Sequence, residues 1–370
     1  MSKIAELNSM GQSIWFDFIR RSIITSGELK SLVDKGIMGV TSNPAIFEKA
    51  IAGSSDYDED LKQLIPTEKS IEKIYEALAF EDITLATDVL RPVYESTEAK
   101  DGYVSLEVSP HLADDSEKTI SAAKRLFETV NRPNLMIKVP ATPAGIPAIT
   151  ELIGAGVNVN VTLIFGLENY KRVAGAYIAG LEKLAQGGPT VKDGHPINKV
   201  ASVASFFVSR VDTSVDKALA EMGNTDLQGK IAIANAKVAY AEFKSIFSGA
   251  RWQQLSDKGA MVQRVLWAST GTKNPEYSDT LYVDELIGPG TVNTLPPATL
   301  ESFIDHGNVA ATLTEGLDAA RHQLAALANL GIDIEAVTHQ LQVDGVLAFA
   351  KPFDALMKSI EQKREKLLSA

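Results

Sequence analysis

Short runs of apolar or alternating residues recur along the chain, and segments with helical periodicity lie between them. Strands that alternate with helices are typical of βα units and a parallel sheet. Because eight such strands close a sheet into a barrel, the pattern predicts an α/β protein with a (β/α)8 TIM barrel. The predicted strands cover residues 13–18, 39–43, 103–109, 135–140, 157–165, 202–208, 264–270 and 291–295.

The predicted helices have their own start and stop signals. One begins after Asp115 and ends at Arg132-Pro133, since a proline disfavours helix at the residue before it. Longer helical patterns fill residues 67–95, 168–185 and 231–247, and a helical tail covers about 297–370. We expect one domain over residues 1–370, with the tail as a C-terminal extension of the barrel. The charged end of that tail, residues 356–368, is predicted to be a solvated helix face.

Polar and apolar residues alternate within the predicted strands. In the third strand, Val104 and Leu106 lie on one face, whereas Ser105 and Glu107 lie on the other. A polar strand face usually meets solvent on an antiparallel sheet. In a closed barrel, however, helices cover the apolar outer face, so the polar face points into the lumen, and active sites lie at the carboxyl ends of the strands. The side chains expected to converge there are Asp17, Asn43, Glu107, Lys138, Asn160, Thr162 and Ser205.

The segment 134–140 carries one lysine, Lys138, in an otherwise apolar strand. Burial disfavours the ammonium form of lysine and leaves a neutral, nucleophilic amine, which is the chemistry of a Schiff-base enzyme. The alternative is a strand-end lysine whose amine reaches water. Carboxylates on the same lumen face favour the catalytic interpretation, because opposite charges in one cleft tune each other's pKa values. For Asp17 the alternative is a helix-capping carboxylate or a salt bridge to Arg20 or Arg21.

Composition and charge narrow the possible partners. With 45% hydrophobic and 22% charged residues, the 370-residue chain is typical of soluble globular proteins. A formal net charge of −11 argues against nucleic-acid and anionic-membrane partners, so an anionic substrate would need a local cationic pocket. The chain has no cysteine and five scattered histidines, and no metal or cofactor is expected. Because neither a secretory signal nor a long apolar run is found, we expect a cytoplasmic protein.

Six motifs fall in order on the successive predicted strands. They are Trp15-Phe16-Asp17, Thr41-Ser42-Asn43-Pro44, Ser105-Leu106-Glu107-Val108, Ile137-Lys138-Val139-Pro140, Asn158-Val159-Asn160-Val161-Thr162-Leu163 and Ser205-Phe206-Phe207-Val208-Ser209-Arg210. In this order the motifs resemble those of the transaldolases, which are Schiff-base enzymes of the pentose phosphate pathway. The similarity runs nearly end to end, and the length and tail are similar to those of the longer bacterial subgroup.

The resemblance implies a role for each residue. Lys138 would attack the carbonyl of a ketose and hold a dihydroxyacetone unit as an imine. Asp17 would take the proton from the C4 hydroxyl as the carbon–carbon bond breaks. Glu107, with a water positioned by Thr162, would move protons while the imine forms. The remaining residues implied to bind this three-carbon unit are Asn43, Asn160, Ser205 and Phe207.

The resemblance also implies a phosphate site at Arg210 and Ser269, since arginine offers a planar fork that suits phosphate. Shorter members of the family have an arginine two residues after that serine, whereas this chain has Gly271. We therefore predict Lys273 as the second phosphate cation. The alternatives are an ion pair between Arg210 and Asp212 at the barrel rim, and a Lys273 that is only a surface lysine.

Three functions remain open on the sequence. The first is a transaldolase that moves dihydroxyacetone from sedoheptulose 7-phosphate or fructose 6-phosphate to glyceraldehyde 3-phosphate or erythrose 4-phosphate. The second is a class I aldolase that releases free dihydroxyacetone. Its short relatives tend to have glutamine in place of Glu107 and tyrosine in place of Phe207, so this sequence favours transfer. The third is a barrel that binds sugar phosphates without turnover. The expected partners are small sugar phosphates, bound by a monomer or a homodimer.

Overall fold

The strands predicted from the sequence form a closed parallel barrel. The computed structural model describes residues 2–188 and 190–368. Within these ranges each strand pairs with the next one along the chain, and the last pairs with the first. The prediction of a (β/α)8 TIM barrel is therefore confirmed. The strands are β1 (Gln12–Phe16), β2 (Gly39–Val40), β3 (Tyr103–Glu107), β4 (Leu135–Pro140), β5 (Val159–Ile164), β6 (Ser202–Phe207), β7 (Arg264–Ala268) and β8 (Thr291–Leu295).

Helices connect the strands and pack on the outside of the barrel. Their starts follow local signals: the Asp115 side chain, for example, accepts a hydrogen bond from the Lys118 N–H and caps the helix that begins at Ser116. The predicted C-terminal helical extension is present. The helices are α1 (Lys3–Ser9), α2 (Arg21–Thr25), α3 (Glu28–Asp34), α4 (Pro44–Ala52), α5 (Asp58–Leu64), α6 (Ile71–Ser96), α7 (Ser116–Val130), α8 (Gly145–Gly154), α9 (Leu167–Ala185), α10 (Ser209–Glu221), α11 (Ile231–Ile246), α12 (Ala250–Ser256), α13 (Leu281–Asp284), α14 (Pro297–His306), α15 (Leu317–Asn329) and α16 (Ile334–Leu368).

Several strands end earlier than the sequence pattern predicts, because their last polar residues belong to the following loops. Asp17 comes directly after β1. Asn43 lies beyond the end of β2 and caps α4, where its Oδ1 accepts a hydrogen bond of 3.0 Å from the Ile46 N–H. Both side chains therefore stand on loops at the carboxyl mouth of the barrel, which is the usual place for barrel active sites.

The strand register places three of the predicted site residues side by side. Glu107 on β3 is paired with Lys138 on β4, and Lys138 is paired with Asn160 on β5. Because a slip of one residue would turn a side chain to the opposite face, this register sets which groups meet in the lumen. Strand β5 then changes register between Val161 and Ile164, and Leu163 has a φ of 60° in the left-handed region.

Charged and polar side chains form a hydrogen-bonded network at the amino end of the barrel. Asp101 accepts hydrogen bonds from Trp15 Nε1 at 2.7 Å and from Arg264 Nη1 at 3.0 Å, and it also bonds the Ser13 hydroxyl. The Trp15 ring occupies the space beside Gly39, where an added Cβ would lie 2.5 Å from a ring atom. Glycine is therefore required at the start of β2.

The C-terminal helix α16 crosses the carboxyl mouth of the barrel. Gln342 Nε2 donates hydrogen bonds to Ala141 O at 2.9 Å and to Leu163 O at 3.0 Å. Residues 356–368 were predicted to form a solvated helix face, and the side chains of residues 367–368 lie outside the described residues. In the rest of the segment the side that carries Lys358, Glu361 and Glu365 is exposed, but the opposite side of the helix is buried. There, Leu356 and Ile360 are fully buried, and Lys363 Nζ bonds Ile51 O on α4. Charged residues dominate that segment, and the few apolar positions that carry the packing were outweighed in the sequence pattern.

None of the helices in residues 2–188 and 190–368 combines the length and the apolar character needed to cross a membrane.

Candidate active site

A small cavity of about 240 Å³ opens at the carboxyl ends of the strands, and Lys138 lies on its floor. The structure brings nearly all the predicted site residues to this cavity. Glu107 is the exception, because it lies behind Lys138 and lines a different space. The predicted residues that line the cavity are Asp17, Asn43, Lys138, Asn160, Thr162, Ser205, Phe207, Arg210, Ser269 and Lys273.

The amine of Lys138 is held inside the barrel. Its Nζ donates a hydrogen bond of 2.8 Å to the carbonyl oxygen of Ser42 and lies 3.1 Å from Glu107 Oε2. The side chains of Lys138 and Glu107 are each only 7% exposed. The alternative of a lysine that reaches out to water is therefore wrong, and the amine faces the cavity beside a carboxylate.

Glu107 lies between Lys138 and a second cavity. Its Oε2 is buried, is close enough to Lys138 for an ion pair, and has no hydrogen bond of good geometry within the described residues. Burial raises the pKa of this carboxyl, and the charge of Lys138 opposes that shift. On its other side Glu107 lines a space of about 520 Å³ with Tyr75 and Phe353. A carboxyl in this position can exchange a proton with the amine on one side while it faces a second space on the other.

Asp17 lines the same cavity as Lys138. Thr41 Oγ1 donates a hydrogen bond of 2.6 Å to Asp17 Oδ1. Burial raises the pKa of Asp17 despite that bond and the charges of Lys138 and Lys273, which lower it. A carboxylate whose pKa is raised is a stronger base than an exposed aspartate.

The alternative of a salt-bridged or helix-capping Asp17 is wrong. Arg20 forms its ion pair with Asp56 at 2.6 Å, and the guanidinium of Arg21 pairs with Asp60 at 2.6 Å. No described helix takes Asp17 as its cap, since α2 has Arg20 at that position.

Hydrogen-bonded polar side chains line another side of the cavity. Asn160 Nδ2 donates to Ser105 Oγ at 3.0 Å, and Ser205 Oγ donates to Asn160 Oδ1 at 2.7 Å. These bonds fix the amide so that it can recognise hydroxyl groups of a ligand in one orientation. Thr162 Oγ1 is buried without a hydrogen-bond partner in the described part of the chain. A buried hydroxyl of this kind is a place for a ligand or a water.

Arg210 lies at the outer end of the cavity, with its guanidinium carbon 5.5 Å from the centre of the Phe207 ring. Burial lowers its pKa, and no carboxylate within the described residues forms an ion pair with it. The alternative pair with Asp212 is wrong, because Asp212 accepts hydrogen bonds from Ala232 N at 2.7 Å and from Tyr282 OH at 2.9 Å instead. Arg210 is therefore a cation in a partly buried place that lacks an anion.

Ser269 and Lys273 extend the same end of the cavity. Ser269 follows β7 with a φ of 55°, and its Oγ lies 3.0 Å from Ser209 Oγ. Lys273 is exposed on the loop beyond, so the structure leaves it a surface lysine whose charge reaches the cavity. A Cβ on Gly271 would lie 3.0 Å from Thr299 Oγ1, so a larger side chain there would have to displace its neighbour.

Six residues that line the cavity were not predicted as site residues from the sequence: Thr41, Ala268, Gly271, Thr294, Pro296 and Phe349. Phe349 on α16 lines the cavity, and its ring centre lies 5.6 Å from Lys138 Nζ. The sequence signal is a stripe of apolar residues at helical spacing along the tail. Such a stripe predicts a buried helix face, but it does not say which surface the helix covers.

The amino end of the barrel holds a larger space of about 810 Å³, lined by residues that include Ser13, Asp101 and Arg264. Its arginine and aspartate are paired with each other. The lysine that lines this space, Lys100, is exposed at the surface, whereas Lys138 in the smaller cavity is buried. Since barrel chemistry takes place at the carboxyl ends of the strands, the smaller cavity is the candidate active site.

The chain is similar to known proteins over nearly its whole length. The family model described as transaldolase/fructose-6-phosphate aldolase matches residues 14–360. A transaldolase of Trichodesmium erythraeum is 50% identical, over 98% of this chain and 98% of the relative. Transaldolase 2 of Nostoc punctiforme is 48% identical over 97% of each chain, and a transaldolase of Thermobifida fusca is 47% identical over 98% of each. The chain is therefore a member of the transaldolase/fructose-6-phosphate aldolase family of enzymes, as the resemblance of its motifs predicted.

Proposed function

We propose that this chain is a transaldolase, which moves a dihydroxyacetone unit from a ketose phosphate to an aldose phosphate through an imine on Lys138. The observation that carries the proposal is the buried Lys138 amine, 3.1 Å from Glu107 and open to a cavity that Asp17 also lines. A module that only binds sugar phosphates would gain little from a buried amine beside two carboxyls.

The first step is the addition of the amine to the ketose carbonyl. Nζ of Lys138 must lose a proton before it attacks C2, and Glu107 lies close enough to take it. The carbinolamine then loses water, which needs an acid at the leaving hydroxyl. The raised pKa of Glu107 favours the protonated acid in that step. The unpaired hydroxyl of Thr162 would hold the water that is involved.

The second step breaks the bond between C3 and C4. Asp17 takes the proton of the C4 hydroxyl, C4 becomes an aldehyde, and the electron pair of the bond moves into the protonated imine to give an enamine. The aldose product then leaves. Addition of the enamine carbon to the aldehyde of an acceptor, followed by hydrolysis of the new imine, completes the transfer and restores the amine.

Recognition of the substrate would divide between the two ends of the cavity. Asn43, Asn160 and Ser205 supply polar groups for the three-carbon unit near Lys138. Arg210, with no carboxylate partner in the described residues, would pair with the phosphate group, and Ser269 and Lys273 lie at the same end. These cations would attract an anionic substrate locally, although the whole chain is acidic.

The test is a transfer assay with fructose 6-phosphate and erythrose 4-phosphate. We expect sedoheptulose 7-phosphate and glyceraldehyde 3-phosphate in equal amounts, measured by mass spectrometry. Lys138→Met should lower the rate by at least about 10³-fold, because the nucleophile is lost. Lys217→Met, which changes an exposed lysine on α10, is the matched control and should remain active.

Two other outcomes would overturn the proposal. Free dihydroxyacetone without sedoheptulose 7-phosphate would identify an aldolase. Binding of fructose 6-phosphate without any product would identify a sugar-phosphate-binding barrel.

A further inference from the structure

The side of Lys138 that faces the tail of the protein is covered by an aromatic ring. Phe349 is 7% exposed, lines the candidate active site and has its ring centre 5.6 Å from Nζ. The other groups that contact the amine, Glu107 and the carbonyl of Ser42, are polar. Phe349 is therefore the apolar side chain that packs beside the amine, and it comes from the C-terminal helix rather than from the barrel.

Several contacts between α16 and the barrel fix the helix in the position that places Phe349 beside the amine. Gln342 lies two helical turns before Phe349 on the same face and binds the carbonyl oxygens of Ala141 and Leu163. Between them, Gly345 lets the helix approach β5, since an added Cβ would lie 2.9 Å from Leu163 Cδ2. The helix is thus attached to the end of β4, which carries Lys138, and to the end of the neighbouring strand β5.

We propose that Phe349 determines whether the three-carbon unit is transferred or released. This inference rests on the proposed function. Release of dihydroxyacetone needs protonation of the enamine at C3 and then attack of water on C2 of the iminium, which breaks the bond to Nζ and frees ketone and amine. Transfer needs the enamine to survive, unprotonated, until the acceptor aldehyde arrives.

The position of the ring explains why transfer prevails. The acceptor arrives only after the first aldose has left, so the covalent enamine waits in a cavity of about 240 Å³ that opens to solvent. An apolar ring against the imine nitrogen leaves no room for a water on that side and offers it no hydrogen bond. A water that could act as a proton donor is thereby kept from that side of the enamine, which slows protonation at C3. Release needs that protonation, whereas transfer does not.

The experiment compares two buried apolar residues on the same helix. Phe349→Ala removes the aromatic ring beside Lys138. Leu356→Ala, two turns further on, is the matched control: Leu356 is fully buried, but it lines neither the active-site cavity nor the space beside Glu107. Phe349→Leu keeps an apolar side chain of similar reach. Each variant receives fructose 6-phosphate with and without erythrose 4-phosphate, and free dihydroxyacetone and sedoheptulose 7-phosphate are both quantified.

We expect Phe349→Ala to raise the ratio of released to transferred dihydroxyacetone by about tenfold or more, which corresponds to about 1.4 kcal/mol between the two barriers. Phe349→Leu should largely restore the ratio of the original enzyme, and Leu356→Ala should leave it unchanged. If Phe349→Ala lowers the rates of both products equally, Phe349 only holds the helix and the inference is wrong. If the original enzyme itself forms no sedoheptulose 7-phosphate, the proposed function has failed, which is a separate result.

Discussion

Two buried carboxyls lie near the amine of Lys138. Glu107 lies 3.1 Å from the amine, Asp17 lines the same cavity, and burial raises the pKa of both carboxyls. Burial disfavours charge on both carboxyls, whereas the nearby charge of Lys138 favours it. A carboxyl whose pKa is raised can both take and give a proton, as the proposed imine formation needs.

Arg210 provides a direct test of phosphate recognition. We expect Arg210→Gln to lower kcat/KM for fructose 6-phosphate by about 10- to 100-fold, because a hydrogen bond to a charged group contributes about 1.5–3 kcal/mol. The rate with unphosphorylated fructose should hardly change. Arg172→Gln, on the exposed surface of α9, is the control and should leave both rates as they are. An equal loss with both sugars would mean that Arg210 supports the structure of the site and does not bind phosphate.

Individual side chains of the cavity could be predicted where strand parity applies. Glu107, Lys138 and Asn160 are neighbours across three strands because each lies on the polar face of its strand. Strand parity says nothing about Phe349, because this residue comes from a distant helix. It also does not reveal that Glu107 borders a second cavity. Such contacts depend on how distant elements pack, and local periodicity carries no information about that.

The C-terminal helix and the irregular end of β5 form one structural unit. Leu163 adopts a left-handed φ of 60°, which an ordinary residue tolerates only when its surroundings compensate. Its carbonyl oxygen accepts the hydrogen bond from Gln342, and its side chain packs against Gly345. The helix therefore stabilises the irregular end of β5, and this end in turn determines where the helix lies.

Replacement of Gln342 tests this unit. Gln342→Met removes two hydrogen bonds to the barrel, and we expect the free energy of unfolding to fall by about 1–3 kcal/mol in urea titration. Amide hydrogen exchange in α16 should become faster as well. Gln340→Met is the matched control on the same helix: Gln340 is exposed and, among the described residues, its side chain bonds Asp344 alone, so its loss should change stability by less than about 0.5 kcal/mol. Equal stability and equal exchange in the two variants would show that Gln342 does not anchor the helix.

The elements themselves could be predicted better than their ends. Helical starts at residues with capping side chains, such as Asp115, follow from local chemistry. The strand ends do not, because residues such as Asn43 continue the alternation while they already cap a helix. The tail was predicted as helix, but the burial of Leu356 and Ile360 was missed because charged residues dominate that segment.

Across the whole molecule, the two ends of the barrel differ in chemistry. At the amino end Asp101 is bonded to Arg264, Trp15 and Ser13. The charged and polar groups of that end are therefore paired with one another. At the carboxyl end Lys138 and Arg210 face a cavity, and Arg210 has no anionic partner in the described residues. In a chain with a net charge of −11, this end is a local cationic site in an acidic protein.

The central claim is that Lys138 forms the covalent imine, and borohydride trapping tests it most directly. The protein is incubated with fructose 6-phosphate, reduced and digested, and the peptides are searched by mass spectrometry for a dihydroxyacetone adduct. We predict an adduct confined to the peptide that contains Lys138 and absent from Lys138→Met. An adduct spread over surface lysines, or one that persists in Lys138→Met, would contradict the claim.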